Sequence, residues 1–321
     1  MLLAVVWAAC ALAGLVYAHQ QNIPQSTALA VLPAFLLEAT FYYALAVDRI
    51  RTRIERLAPV TVASALLLAA ITPYLAASIG LRTFEWRSFA VLAALCIVAT
   101  FWYVFAPKSA VFDTVFLLFM AAIMLLHVFP RLYISPVPKL PISALGQAMW
   151  VRTGVFVMLA VRKVSGIGFG LWPDRRQWKV GALYYLAFLA IGAGLAWWIG
   201  FARPHWPPGG WERTSLLAIA TFFGVLWVLA LGEEFFFRGL LQQWIGSWTG
   251  SEILGLVLTS LLFGAAHLWS PVFRAFPNWR FAIMAAVAGV FYGLAFRQTK
   301  SIRASMVTHA LVVTTWRVFF W

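Results

Sequence analysis

Charge is scarce in this chain. Only 11% of its 321 residues are Asp, Glu, Lys or Arg, against roughly 25% in a soluble domain. Acidic residues are rarer still, 10 against 24 basic ones. This shortage excludes an ordinary soluble enzyme. Cysteine is nearly missing: Cys10 and Cys96 both lie in apolar runs. They exclude a disulfide framework or a cysteine-built metal site and read as small core residues. Strand-like alternation is absent, which excludes an outer-membrane-type barrel. No basic stripe interleaves with aromatics in a polar segment, so no nucleic-acid partner is expected. The histidine pair at i, i+4 of many zinc peptidases is also missing. So is the lysine-serine/threonine ending that would make a P-loop of Gly166–Gly170, a basic connector expected at the membrane surface.

What is present is hydrophobic surface: 63% of residues are apolar or aromatic. Runs near 2–18, 28–47, 60–81, 88–106, 111–129, 142–161, 180–201, 214–243, 252–269, 280–296 and 303–320 approach the length that crosses a bilayer. The expected fold is therefore all-α, a polytopic transmembrane bundle of about eleven spans. Basic linkers at 48–59, 162–179 and 297–303 place the N-terminus on the cytoplasmic side of a plasma (inner) membrane. The net charge of +14 points to contact with anionic lipid. No internal repeat suggests an inverted-repeat transporter. The proline-rich stretch 130–141 marks a boundary between a five-span N-terminal extension, 1–130, and a C-terminal domain, 142–321. The sequence assigns no oligomeric state.

Polar groups inside spans are expensive and need partners. Glu38 reads as a buried structural acid with Arg152 as its partner. Asp113 and Glu252, at span starts, suit the positive end of a helix dipole. His127 reads as an interfacial structural residue, and His19 and His205 as loop residues without a role.

Three groups remain, all in the C-terminal half. Glu233, Glu234 and Arg238 share one helix. Glu234 and Arg238 are four apart and can pair. Glu233, rotated by about 100°, faces elsewhere. One carboxylate is thus neutralised and one left free. His267 follows Phe263 by one turn, and His309 lies within the last span. Counting about 1.5 Å per residue from the inner ends puts Glu233, His267 and His309 at depths of roughly 16, 22 and 10 Å. Helix tilt allows them to meet. A carboxylate and an imidazole facing one buried water can take its proton and aim it at a carbonyl. A second imidazole can donate to the developing oxyanion. The same residues, Glu233, His267 and His309, are the ligand types of a catalytic zinc, which keeps a metal-dependent variant open.

In this order Glu233-Glu234-x-x-x-Arg238, Phe263-x-x-x-His267 and Ser301-Ile302 leading to His309 resemble the motifs of the CPBP family. That family comprises the type II CAAX prenyl endopeptidases and the bacteriocin-processing and immunity (Abi) proteins. The resemblance covers the C-terminal 150–170 residues or so and implies a glutamate-dependent intramembrane endopeptidase acting without a cofactor. By it, Glu233 and His267 activate water, His309 stabilises the oxyanion, and Glu234, Arg238 and Phe263 support them. The implied partners are membrane lipid and a peptide or protein substrate, with a CAAX-like terminal sequence as one option. One position departs: where the family has asparagine four residues after the last histidine, this chain has Val313. Either another donor such as Thr314 or Thr308 serves, or activity is weak, or the fold is kept for another purpose. The alternative is a non-catalytic membrane immunity or scaffold protein of the same fold. Transport, suggested by Glu38 and Arg152, is a third reading.

Overall fold

The computed structural model describes residues 2–207, 209–268 and 277–320, and among them every regular element is helical. In chain order these are α1 (Leu2–Gln20), α2 (Gln25–Ala46), the short α3 (Asp48–Ile54), α4 (Pro59–Gly80), α5 (Trp86–Phe105), α6 (Ala110–Leu125), the single turn α7 (Val128–Leu132) and α8 (Ile142–Val161). They continue with α9 (Arg175–Trp198), α10 (Gly210–Thr249), α11 (Glu252–Ala266), α12 (Trp279–Thr299) and α13 (Ile302–Phe319).

The chain is a multi-pass integral membrane protein. Eight of the described helices are long and apolar enough to cross a bilayer. The count of eleven is not reached, for two physical reasons. α6 and α11 have 16 and 15 residues, and at about 1.5 Å per residue they fall short of a hydrocarbon core of about 30 Å. The stretch expected to span 252–269 ends as helix at Ala266, and residue 269 lies outside the described residues. α13 is long enough, but Arg303, Thr308, His309, Thr314, Thr315 and Arg317 make it too polar.

The chain divides into two compact units, Met1–Val164 and Ser165–Trp321. This packing boundary lies beyond the proline-rich stretch, so α8 belongs with the N-terminal helices. The cause is visible in its polar side chains. Arg152, fully buried on α8, meets Glu38 of α2 through Nε–Oε1 at 2.5 Å and Nη2–Oε2 at 3.0 Å, and Nη2 also donates to the Ala69 carbonyl of α4. The expected pair is therefore present, and it ties together three helices. At the end of α8, Arg162 donates twice to Asp113 of α6 at 2.8 Å, and the Tyr103 hydroxyl of α5 donates to the same carboxylate. Asp113 thus does more than complement a helix dipole. Cys96 is buried, as expected of a small core residue, whereas Cys10 is exposed on the outer face of α1.

In the second unit the helices that carry the site pack closely because small residues line their contacts. A side chain at Gly264 of α11 would strike the Ala282 carbonyl and Ala286 of α12, the geometry by which small residues let membrane helices approach. α12 and α13 form an antiparallel pair: Tyr292 lies level with Ser305, whose hydroxyl donates to its carbonyl, and Phe281 stacks near Trp316. Lys300, in the left-handed region at φ 53°, turns the chain between them. Ser301 then caps α13 and donates to the Gly168 carbonyl of the glycine-rich connector. Gly168 has φ +60° and a close approach to Ser301 that no side chain would permit. The connector is thus clamped against α13. At the other exposed end of α11, Glu252 accepts from Lys300 and Arg297 of the α12 terminus. Those two hydrogen bonds hold its carboxyl below the usual carboxylate range.

Candidate active site

α10 is not a uniform α-helix. It widens to π-type turns over Val225–Ala230 and again over Phe235–Gln242, with the α-helical Leu231–Glu234 between them. Such insertions are frequent at functional sites. Here they bracket the two adjacent carboxylates.

Glu234 and Arg238 are both fully buried. The guanidinium Nη1 lies 3.4 Å from Oε1, and Nε lies 3.3 Å from Oε2, too oblique for a hydrogen bond. Arg238 spends Nη2 on the Gly289 carbonyl of α12 and rests against the faces of Phe263 (4.6 Å) and Tyr292 (5.2 Å). An arginine so deeply buried needs this set of partners, since an isolated charge there costs several kcal/mol.

Glu234 has a second partner that spacing alone does not foretell. Its Oε1 lies 2.8 Å from His309 Nδ1. Since a carboxylate accepts, the shared proton belongs on Nδ1. The opposite nitrogen, Nε2, then lies 3.9 Å from Oε2 of Glu233. The ring is held from the sides as well. Tyr292 stacks on it at 4.6 Å and 13°, and Phe263 meets it edge-on at 5.9 Å.

Glu233 takes the other direction. Its side chain is 29% exposed, and its Oε2 has no hydrogen-bond partner among the described residues. His267, which caps the end of α11, places Nδ1 2.7 Å from the Phe263 carbonyl. A carbonyl only accepts, so Nδ1 carries the proton and Nε2 keeps a lone pair. Phe263 (4.6 Å) and Phe281 (4.8 Å) pack against the ring.

Glu233, His267 and His309 all line one cavity of about 430 Å³ in the second unit. Its other walls are mostly apolar, with Phe188, Phe237, Met284 and Trp316 among them. The depths expected along the helices differed, and the geometry nevertheless gathers the three groups. Among the described residues no three His, Cys, Asp or Glu side chains are grouped as a metal would need. Glu233, His267 and His309 therefore do not form such a group in this arrangement.

Val313 faces the same cavity and offers it no hydrogen bond. Neither threonine expected to replace the missing donor does so. The Thr308 hydroxyl is engaged with the Gly181 and Ala304 carbonyls. Thr314 is buried, and its hydroxyl has no partner among the described residues and lies off the cavity wall. Sequence reasoning missed the Glu234–His309 bond and Tyr292. The available signal was modest: Tyr292 is the one hydroxyl on the α12 stripe Phe281, Met284, Ala285, Ala288, Tyr292 that lines the cavity.

Comparison with known proteins adds family information. Residues 214–315, which include every candidate side chain above, match the family model described as Type II CAAX prenyl endopeptidase Rce1-like. The chain is 27% identical over 164 residues to the Uncharacterized protein YpbD of Bacillus subtilis (strain 168), an alignment that covers 50% of this chain and 76% of the relative. No solved structure matches the chain significantly.

Proposed function

We propose, from the membership of residues 214–315 in the Rce1-like family of type II CAAX prenyl endopeptidases, that this chain is an intramembrane endopeptidase. Its substrate is a membrane-associated peptide or protein, for which a CAAX-like terminal sequence is one option. The observation that carries this reading is the convergence of Glu233, His267 and His309 on one apolar cavity.

In this reading a water in the cavity gives a proton to the Glu233 carboxylate, with the Nε2 lone pair of His267 as its second acceptor. The water oxygen adds to the substrate carbonyl carbon, and the carbonyl π pair becomes an oxyanion. His309, when it carries protons on both nitrogens, donates to that oxyanion through Nε2. The intermediate then collapses. The C–N bond breaks, and Glu233 returns its proton to the leaving amine. Glu234 is a positioning residue: it holds the His309 ring so that Nε2 points to the Glu233 side. No covalent enzyme intermediate is needed, and the apolar walls suit a substrate delivered from lipid.

The test is cleavage of a candidate membrane substrate by the purified protein. Glu233→Ala and His267→Ala should each abolish cleavage while the protein still accumulates. Cleavage that survives both changes refutes the proposal. Val313 motivates a second reading, a non-catalytic immunity or scaffold protein of the same fold. That reading requires a protective or binding phenotype that persists in Glu233→Ala.

A further inference from the structure

An oxyanion held by His309 alone has one donor, because the Val313 side chain beside it in the cavity has none. We infer that the Tyr292 hydroxyl is the second donor, a catalytic residue in the endopeptidase reading on which this inference rests.

Three observations converge on it. The Tyr292 ring lies parallel to His309 at 4.6 Å, so its edge is at the same level of the bundle as the reacting groups. The residue is buried yet lines the cavity, and among the described residues its hydroxyl makes no hydrogen bond. No described group competes for its proton, so the hydroxyl can give it to an acceptor bound in the cavity. The third observation is direction. Helical side chains incline toward the N-terminus of their own helix. For Tyr292 this is the direction of Ala288, Met284 and Phe281, the cavity-lining stripe of α12. Because α12 and α13 are antiparallel and Tyr292 starts level with Ser305, the inclination carries the phenol along α13 toward His309 and Val313.

The hydroxyl does not exchange its proton in the reaction. It hydrogen-bonds the carbonyl oxygen as negative charge develops there and releases it when the C–N bond breaks. Unlike His309, it donates whatever the protonation state of the imidazole. Arg238 and Phe263, packed on the same ring, fix its orientation.

The experiment uses the full-length protein in liposomes, with internally quenched CAAX-type peptides, prenylated and unprenylated, as probes. Tyr292→Phe keeps the stack on His309 and removes only the oxygen. It should lower kcat by about 10²-fold, the effect of losing one oxyanion donor, with KM and the melting temperature little changed. Val313→Asn in the Tyr292→Phe background should recover part of the loss by restoring a donor to the same wall. Full kcat in Tyr292→Phe overturns the inference and leaves the endopeptidase reading standing. A loss that Val313→Asn does not recover assigns Tyr292 a packing role and also overturns it. Failure of the unmodified protein to show Glu233-dependent cleavage of any probe overturns both.

Discussion

His309 presents Nδ1 to Oε1 of Glu234 at 2.8 Å while its Nε2 lies 3.9 Å from Oε2 of Glu233. One imidazole thus lies between two adjacent carboxylates in different environments. Glu234 is fully buried and shared between Arg238 and His309, whereas Glu233 opens on the cavity.

Glu234→Gln tests the division of labour. The amide oxygen can still accept from Nδ1, but the negative charge opposite Arg238 is lost. Leaving a buried arginine uncompensated should cost about 3–5 kcal/mol of stability, read as a lower unfolding temperature in detergent. Turnover should fall more than the unfolded fraction explains. Unchanged stability would show that Arg238 draws its support from the Gly289 carbonyl and the aromatic rings instead.

His267→Gln tests the second acceptor. With Nδ1 bound to the Phe263 carbonyl, the ring offers its Nε2 lone pair to the cavity. Removing that base should reduce kcat by about 10²-fold or more without changing accumulation in the membrane.

The first unit offers a test of stability away from the site. Arg152→Met leaves Glu38 buried without its cation and should cost about 3–5 kcal/mol. The double change Arg152→Met with Glu38→Leu should recover most of that loss, since apolar replacement of a buried pair is often neutral. Thermal unfolding of the unmodified protein and the two variants in one detergent checks this. An equally unstable double variant would instead point to the bond from Arg152 to the Ala69 carbonyl.

Metal dependence has a direct measurement. Because the three candidate ligands are not grouped as a metal would need, chelator dialysis should leave cleavage nearly unchanged. Inhibition reversed by zinc would mean that Glu233, His267 and His309 rearrange around an ion.

The sequence made some of this legible and hid the rest, for physical reasons. Glu234 and Arg238 could be paired by helical spacing because both sit on one element. Glu38 and Arg152 could be paired because two opposite charges stranded in apolar runs have few other solutions. The Glu234–His309 bond could not be read this way, since it joins elements 75 residues apart. Tyr292 was hidden because an aromatic residue on an apolar stripe looks like core packing. The count of eleven spans is not confirmed because apolar composition identifies a helix without fixing its ends, and α6 and α11 are short.

The widened winding of α10 has a consequence for how this segment tolerates change. Phe235–Gln242 holds more residues per turn than an α-helix, and the Gln243 side-chain amide closes on the Gly239 carbonyl at 2.6 Å. Deleting a single residue between Glu234 and Arg238 would tighten the coil and swing the guanidinium by about 100°, off the acid it neutralises and away from Gly289. Length in this stretch is therefore as constrained as chemical identity: a substitution can spare the charge cluster, but a one-residue deletion dismantles it.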